Sequence, residues 1–300
     1  MADLSVRLFN TIFRNPVTNA SGTLGYGREI EPLWSIDTLG AYVTKGLSLL
    51  PHHGNPTPRI SEEKGGMINS IGLQNVGVER FFADYFPLFV SKKTPIIVNF
   101  FGFTEEEYIE CASRIPPHEL IAALEINLSC PNIKAGGLCM GKEAQSVFRI
   151  IRAVKRVTPI PLIAKLTPEV TDIVEIARAA AEAGADGVTV LNTMPAMAID
   201  IDKGSLFIRG GLSGPPLKPM ALKAVSDISK AITLPVIGAG GIVDYRDALA
   251  FLMAGARMVQ VGTATFLDPF AIPKIVRGLD AYMEEHSLSR LAEITGIAGC

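Results

Sequence analysis

Residues 124–137 read LEINLSCPNIKAGG, and the apolar run that leads into them, from Ile121 to Leu128, has the look of a buried strand. The run gives way to Ser129-Cys130-Pro131-Asn132 and then to a loop holding Gly136 and Gly137. A thiol and two carboxamides, Asn127 and Asn132, therefore stand where a strand becomes a loop. Pro131 stops the strand and fixes the backbone just past the thiol. Asn127 precedes Cys130 by three residues and Asn132 follows it by two, a spacing that lets all three converge on one ligand. Carboxamides offer a donor and an acceptor without charge, which suits a flat ligand with alternating N–H and C=O groups. The plainer reading is turn chemistry around a small buried thiol. What stands at the other strand ends decides between the two.

Outward from this strand the chain alternates. Two short strands at 5–9 and 11–14 flank Asn10 and predict a hairpin that caps one end of the fold. Apolar strands follow at 17–20, 41–45, 96–99, 122–128, 162–166, 187–192, 236–239 and 258–262. Helical segments fall at 30–36, 78–91, 105–114, 144–157, 173–183, 217–232, 245–254 and 271–285. Eight such pairs predict an α/β fold, a single (β/α)8 TIM barrel over residues 1–300, with a doubly wound open sheet as the alternative because counting units does not prove closure. Two stretches break the rhythm. Residues 47–77 are long and rich in Gly, Pro and Asn, and residues 192–214 form an oversized loop expected to fold over the barrel mouth as a lid.

Composition narrows the function classes. The chain has 300 residues, 48% of them hydrophobic, and a net charge of −2 with no basic block, so nucleic acid is not an expected partner. Cys111, Cys130, Cys139 and Cys300 form no C-x-x-C pair, which removes the usual spacing of a zinc or iron–sulfur site. Scattered thiols and the lack of a signal-like N-terminus or a long apolar run predict a cytoplasmic protein off the membrane.

Active sites of such barrels lie at the C-terminal ends of the strands. Those ends here carry Asn19 to Gly22, Lys45-Gly46, Asn99, Asn127 with Cys130, Lys165, Asn192-Thr193, Gly238 to Gly241, and Gly262-Thr263. Amides dominate and acidic pairs are absent, since Glu125 and Asp186 lie away from the C-terminal ends. That weakens metal-assisted chemistry and glycoside hydrolysis, and no metal site is expected. His52 and His53 sit in a Pro/Gly turn and read as solvated loop residues. The glycines after the last two strands fall where barrels recurrently bind phosphate, and Gly211 to Gly214 add possible donors. Lys45 and Lys165 lie on apolar strands and need compensation by an anion or hydrogen bonds. A phosphorylated, electron-accepting ring suits both, because positive charge beside a flavin N1–C2=O region stabilises the reduced form. A Schiff-base role for Lys165 competes with this reading.

The stretches NASGTLGYG (19–27), VTKG (43–46), GNPTPR (54–59), GGMINSIGLQNVG (65–77), EINLSCPNIKAGG (125–137), AGADGVTVLNT (183–193), MAID (197–200), GGLSGPPLKP (210–219), GAGGI (238–242) and VGTATFLDP (261–269) together resemble the dihydroorotate dehydrogenase family. Cys in SCPN resembles the class 1 enzymes, and CPNIKAGG with MAID is most similar to class 1B catalytic subunits. The resemblance implies an FMN-containing barrel that oxidises dihydroorotate to orotate in pyrimidine biosynthesis. It implies Cys130 as the base that removes the C5 proton while a hydride leaves C6 for the flavin. By the same resemblance Lys45, Asn69 and the backbone of Ser70, Ile71, Gly72 and Leu73 would hold the substrate carboxylate side. Asn127, Asn132, Asn192 and Thr193 would read the pyrimidine edges. FMN would be contacted by Ser21, Lys45, Gly46, Asn99, Asn127, Lys165 and Leu191, and its phosphate end and ribityl chain by Gly214, Gly240, Gly241, Gly262 and Thr263.

No G-x-G-x-x-G follows a strand, so electrons from the flavin need another carrier. The resemblance implies a homodimer core extended to a heterotetramer by a subunit carrying FAD and a [2Fe–2S] cluster, with NAD+ as acceptor. Three alternatives remain at this point: a class 1A-like homodimer using fumarate, a barrel like that of dihydropyrimidine dehydrogenase, and a non-redox phosphate-binding barrel.

Overall fold

The computed structural model describes residues 2–129, 131–132 and 138–299. Among them, eight strands form one parallel sheet: β1 (Val17–Asn19), β2 (Tyr42–Val43), β3 (Ile96–Phe100), β4 (Ile121–Asn127), β5 (Leu162–Lys165), β6 (Gly187–Val190), β7 (Val236–Ala239) and β8 (Met258–Val261). The strands pair in the order β1-β8-β7-β6-β5-β4-β3-β2. A parallel bridge between Thr18 and Ala41 then joins the two ends of that order and closes the barrel. Closure removes the open-sheet alternative. Strands β5 to β8 are buried along their whole length, which is why they read as near-continuous apolar runs rather than alternating ones.

Helices form the outer ring. The expected segment at 30–36 is not helical: turns occupy it, and only a short 3₁₀ piece, Ile36–Thr38, follows. Pro32 and the ties of Glu31, which accepts from Ile36 N–H and Ser35 Oγ, favour turns over a regular ladder there. The other seven helical segments are present within a few residues, with that at 78–91 interrupted by a π turn at Phe81–Tyr85. Their starts carry side-chain caps where the sequence offers them. Thr104 Oγ1 accepts from Glu107 N–H, Asp172 Oδ1 from Val174 N–H and Asp244 Oδ1 from Asp247 N–H. A further short helix, Ala264–Leu267, follows β8 and was not expected.

The N-terminal hairpin, Val6–Leu8 with Thr11–Phe13, turns at Phe9 and Asn10. The Phe9 ring sits against Gly187 at the start of β6, so the hairpin plugs the N-terminal end of the barrel. At the opposite end the two long segments are not loops. Ile60–Glu63, Gly66–Asn69, Met194–Asp200 and Ser205–Ser213 pair into one four-stranded antiparallel sheet, in which Gly211 stands opposite Asn69. Two excursions from distant barrel strands thus build a single cover. Gly-rich segments look irregular in sequence because the partner strand that orders them lies far away in the chain.

Candidate active site

Between barrel and cover lies a cavity of about 500 Å³, within the range of small-molecule sites. It is the meeting place of the predicted residues. Lys45, Asn69, Ser70, Ile71, Gly72, Leu73, Asn127, Asn192 and Thr193 line it, as do Ser21, Gly46, Asn99, Lys165, Leu191, Gly214, Gly240, Gly241, Gly262 and Thr263. Cys130 lies outside the described residues. Asn132 is placed through its backbone, in a two-residue ladder with Leu138.

On one side the amides hold one another. Asn127 Oδ1 accepts from Ser129 N–H at 3.1 Å and from Asn192 Nδ2 at 3.2 Å. Asn192 Nδ2 also donates to Ser129 Oγ at 2.8 Å, while its Oδ1 accepts the Thr193 N–H at 2.9 Å. These bonds set which end of each amide faces where. From the cover, Asn69 donates through Nδ2 to Gly211 O at 3.2 Å, which ties the two excursions together. The 70–73 segment is braced by Asn55, whose N–H bonds Ile71 O and whose Nδ2 bonds Ser70 O and Oγ. Asn75 staples the ends of this excursion, bonding Ser48 and Gly77 N–H as well as Leu73 O.

The floor holds two cations in different settings. Lys45 is half-buried and makes no ion pair among the described residues. Burial, and then the Arg59 guanidinium, lower its pKa below that of an ordinary lysine. An anion bound in the cavity would compensate this group. Lys165 is 6% exposed and held from below: Nζ lies 3.1 Å from Gln260 Oε1 and 3.5 Å from Glu125 Oε1. Asn99 donates to Glu125 through Nδ2 at 2.7 Å. Its Oδ1 is buried without a partner, beside Gly46, where a Cβ would come within 2.9 Å of it. An orphaned acceptor on a cavity wall fits a ligand N–H.

Glycine turns line the far end. Gly241 has φ +74°, and a Cβ there would meet Lys218 N at 2.8 Å and Gly214 O at 2.9 Å. Gly214 in turn approaches Thr263, so the turns after β7 and β8 and the end of the cover close on one another. Backbone this tight can carry no side chain, and these glycines line the cavity with main chain alone.

Sequence reasoning passed over part of the floor. Glu125, Thr189 and Gln260 form a buried network there, and Phe101, Ser129 and Gln74 join the lining. A signal existed: Glu and Gln stand alone in the otherwise apolar AALEI and MVQV. His53 is exposed, but His52 is not the solvated loop residue expected: it is partly buried, bridges Asn75 through its backbone, packs on Phe103 and accepts from Gly54 N–H through Nδ1. Among the described residues no three His, Cys, Asp or Glu gather as a metal site requires, and no helix is long and apolar enough to cross a membrane.

Comparison with known proteins sets this site in a family. The family model described as dihydroorotate dehydrogenase matches residues 3–283. The chain is 48% identical to the catalytic subunit of dihydroorotate dehydrogenase B (NAD(+)) of Pelobacter propionicus, over 99% of each chain. It is 48% identical to the protein of the same name from Geobacter sulfurreducens, over 98% of this chain and 97% of that one, and 47% identical to that of Desulforamulus reducens, over 99% and 98%. A match of this length, on a closed barrel with its cavity under a four-stranded cover, shows that the chain belongs to the dihydroorotate dehydrogenase family.

Proposed function

We propose that this chain is a single-domain, FMN-binding catalytic subunit that oxidises dihydroorotate to orotate and passes the electrons, through a partner subunit, to NAD+. The observation that carries the reading is the convergence in one cavity of an amide cluster, Asn69, Asn127 and Asn192, with two lysines and three glycine turns. The residues fit a phosphorylated flavin: Asn99 Oδ1 is an unpaired buried acceptor, Lys165 offers its remaining N–H, and the Gly214, Gly240-Gly241 and Gly262-Thr263 turns leave room only for a close backbone approach. FMN, when bound, supplies the hydride acceptor.

The chain's own groups do the rest. Lys45 meets the substrate carboxylate, whose charge compensates an ammonium that burial and the Arg59 guanidinium disfavour. Asn127, Asn132, Asn192 and Thr193 pair with the ring amides, which fixes the substrate in one orientation. Cys130, by family resemblance, takes the C5 proton; a thiol with an ordinary pKa near ~8.5 needs only a modest shift to serve as a base. The cover shields this chemistry from water.

Partnership is supported by the cover, where Met197 and Ile199 alternate along one strand, Leu206 stands opposite Ile199, and all three are exposed, as is Phe207. The names of the relatives, a catalytic subunit linked to NAD+, support the same reading. We place the FAD and [2Fe–2S] cluster on the partner, around a homodimeric core, in the cytoplasm. The test is the visible spectrum of the purified chain before and after anaerobic dihydroorotate. Flavin bands that bleach support the reading. Bands that persist with dihydroorotate but bleach with dihydrouracil move the substrate, and a chain that takes up no FMN removes the redox function.

A further inference from the structure

Glu125 is 0% exposed in the middle of the barrel, yet every donor around it points at its carboxylate. Oε1 accepts from Asn99 Nδ2 at 2.7 Å and lies 3.5 Å from Lys165 Nζ; Oε2 accepts from Thr189 Oγ1 at 2.7 Å and from Gln260 Nε2 at 2.6 Å. Five side chains from β3, β4, β5, β6 and β8 meet at this point. The orientation of each amide is fixed by chemistry rather than by choice. Lys165 only donates, so Gln260 must turn its oxygen to Lys165 and its NH₂ to Glu125. Asn99 must likewise turn its NH₂ to Glu125, which aims its unpaired Oδ1 away from the carboxylate. A carboxylate ringed by donors is satisfied only as the anion.

We infer that Glu125 is a positioning residue: its buried negative charge offsets that of Lys165 and, through Asn99 and Gln260, fixes the groups that face the cavity floor. The inference rests on the flavin reading above. Two of the three Lys165 N–H bonds point to Gln260 and Glu125, leaving one for the cavity, which Lys165 lines. The bound ring therefore meets a hydrogen-bond donor whose charge is largely balanced, not a bare buried cation. Cationic charge at this place favours anionic forms of a flavin. Glu125 thus holds down the affinity of the site for the reduced cofactor and so sets its potential.

The experiment compares Glu125→Gln, which keeps shape and loses charge, with Glu125→Asp, which keeps charge and loses length. Each variant is purified with FMN. Two quantities are read: the dissociation constant of sulfite, an anion whose binding to an oxidised flavin bleaches its visible band, and the midpoint potential of the bound flavin. Glu125→Gln should bind sulfite about tenfold more tightly or better and raise the potential by about 30 mV for each tenfold preference for the reduced form. Glu125→Asp should stay near the parent, and Glu125→Gln combined with Lys165→Met, which removes both charges of the pair, should bring sulfite affinity and potential back toward the parent. Sulfite affinity within twofold of the parent and a potential within about 10 mV of it in Glu125→Gln, or equal changes in Gln and Asp variants, would overturn the inference and leave a packing role. If Glu125→Gln alone does not fold, recovery of folding in Glu125→Gln with Lys165→Met supports the pairing, and continued failure overturns it. Parent protein that holds no FMN is a separate outcome, seen before any variant is made; it overturns the flavin reading and this inference with it.

Discussion

The Asn19 carboxamide grips the backbone of Val43 from both sides: Oδ1 accepts the Val43 N–H at 2.9 Å and Nδ2 donates to the Val43 carbonyl at 2.8 Å. Between β1 and β2 the backbone makes a single bridge, Thr18 to Ala41, so a side chain takes the place of the missing ladder. Asn19→Ala leaves two buried backbone groups unpaired and should lower the unfolding free energy by about 2–4 kcal/mol. Asn19→Asp should be at least as harmful, because a carboxylate cannot donate to the Val43 carbonyl. Urea unfolding checks both, and an Asp variant as stable as the parent would show that the seam is held by other means.

Lys45 should give activity an alkaline limit. The protonated amine is the form that attracts the substrate carboxylate. Its charge is present below its pKa and lost as pH rises through it. Burial and Arg59 lower that pKa, so kcat/KM for dihydroorotate, which reports the free enzyme, should fall at a pH below the ordinary lysine range. Lys45→Arg should move this limb upward, and Lys45→Met should raise KM by roughly 10- to 100-fold, the loss of a charged hydrogen bond. A pH profile whose alkaline limb is identical in parent and Lys45→Arg protein would assign the limit to another group.

Gly241→Ala places a methyl group against the Lys218 and Gly214 backbone at a positive φ of 74°. Strain of about 1–3 kcal/mol must be relieved by opening the turn, so FMN affinity should fall by roughly tenfold or more while the barrel stays folded. Flavin fluorescence titration of the stripped protein reads this directly. Unchanged affinity would place the phosphate elsewhere.

Gly210→Ala tests the cover. A Cβ at Gly210 would lie 1.9 Å from the Asn69 carbonyl oxygen, so the two excursions cannot keep their register. The expected result is a KM for dihydroorotate raised by roughly tenfold, as positioning is lost, with faster proteolysis of the cover and little change in FMN content. Parallel loss of FMN and substrate affinity would mean that the cover also holds the cofactor.

Cys130→Ser tests the base. Flavin reduction by dihydroorotate should slow by a factor of roughly 100 or more, with FMN retained. An unchanged rate removes Cys130 from the mechanism.

The barrel was legible in the sequence because parallel strands buried on both faces write themselves as short apolar runs that alternate with helical segments. The strand-end residues were legible for the same reason: once the strands are placed, Lys45, Asn99, Asn127 and Lys165 fall on the rim by counting. Closure was not legible, since it depends on one bridge and on where a single Asn side chain points. Asn19, which reads as another rim amide, proves to be seam. The cover sheet was hidden because its four strands come from two segments more than a hundred residues apart, and pairing across such a distance leaves no local pattern. Glu125 was visible but looked misplaced. Only the tertiary structure brings Asn99, Lys165, Thr189 and Gln260 to it from four other strands, and only that convergence makes a buried carboxylate physically affordable.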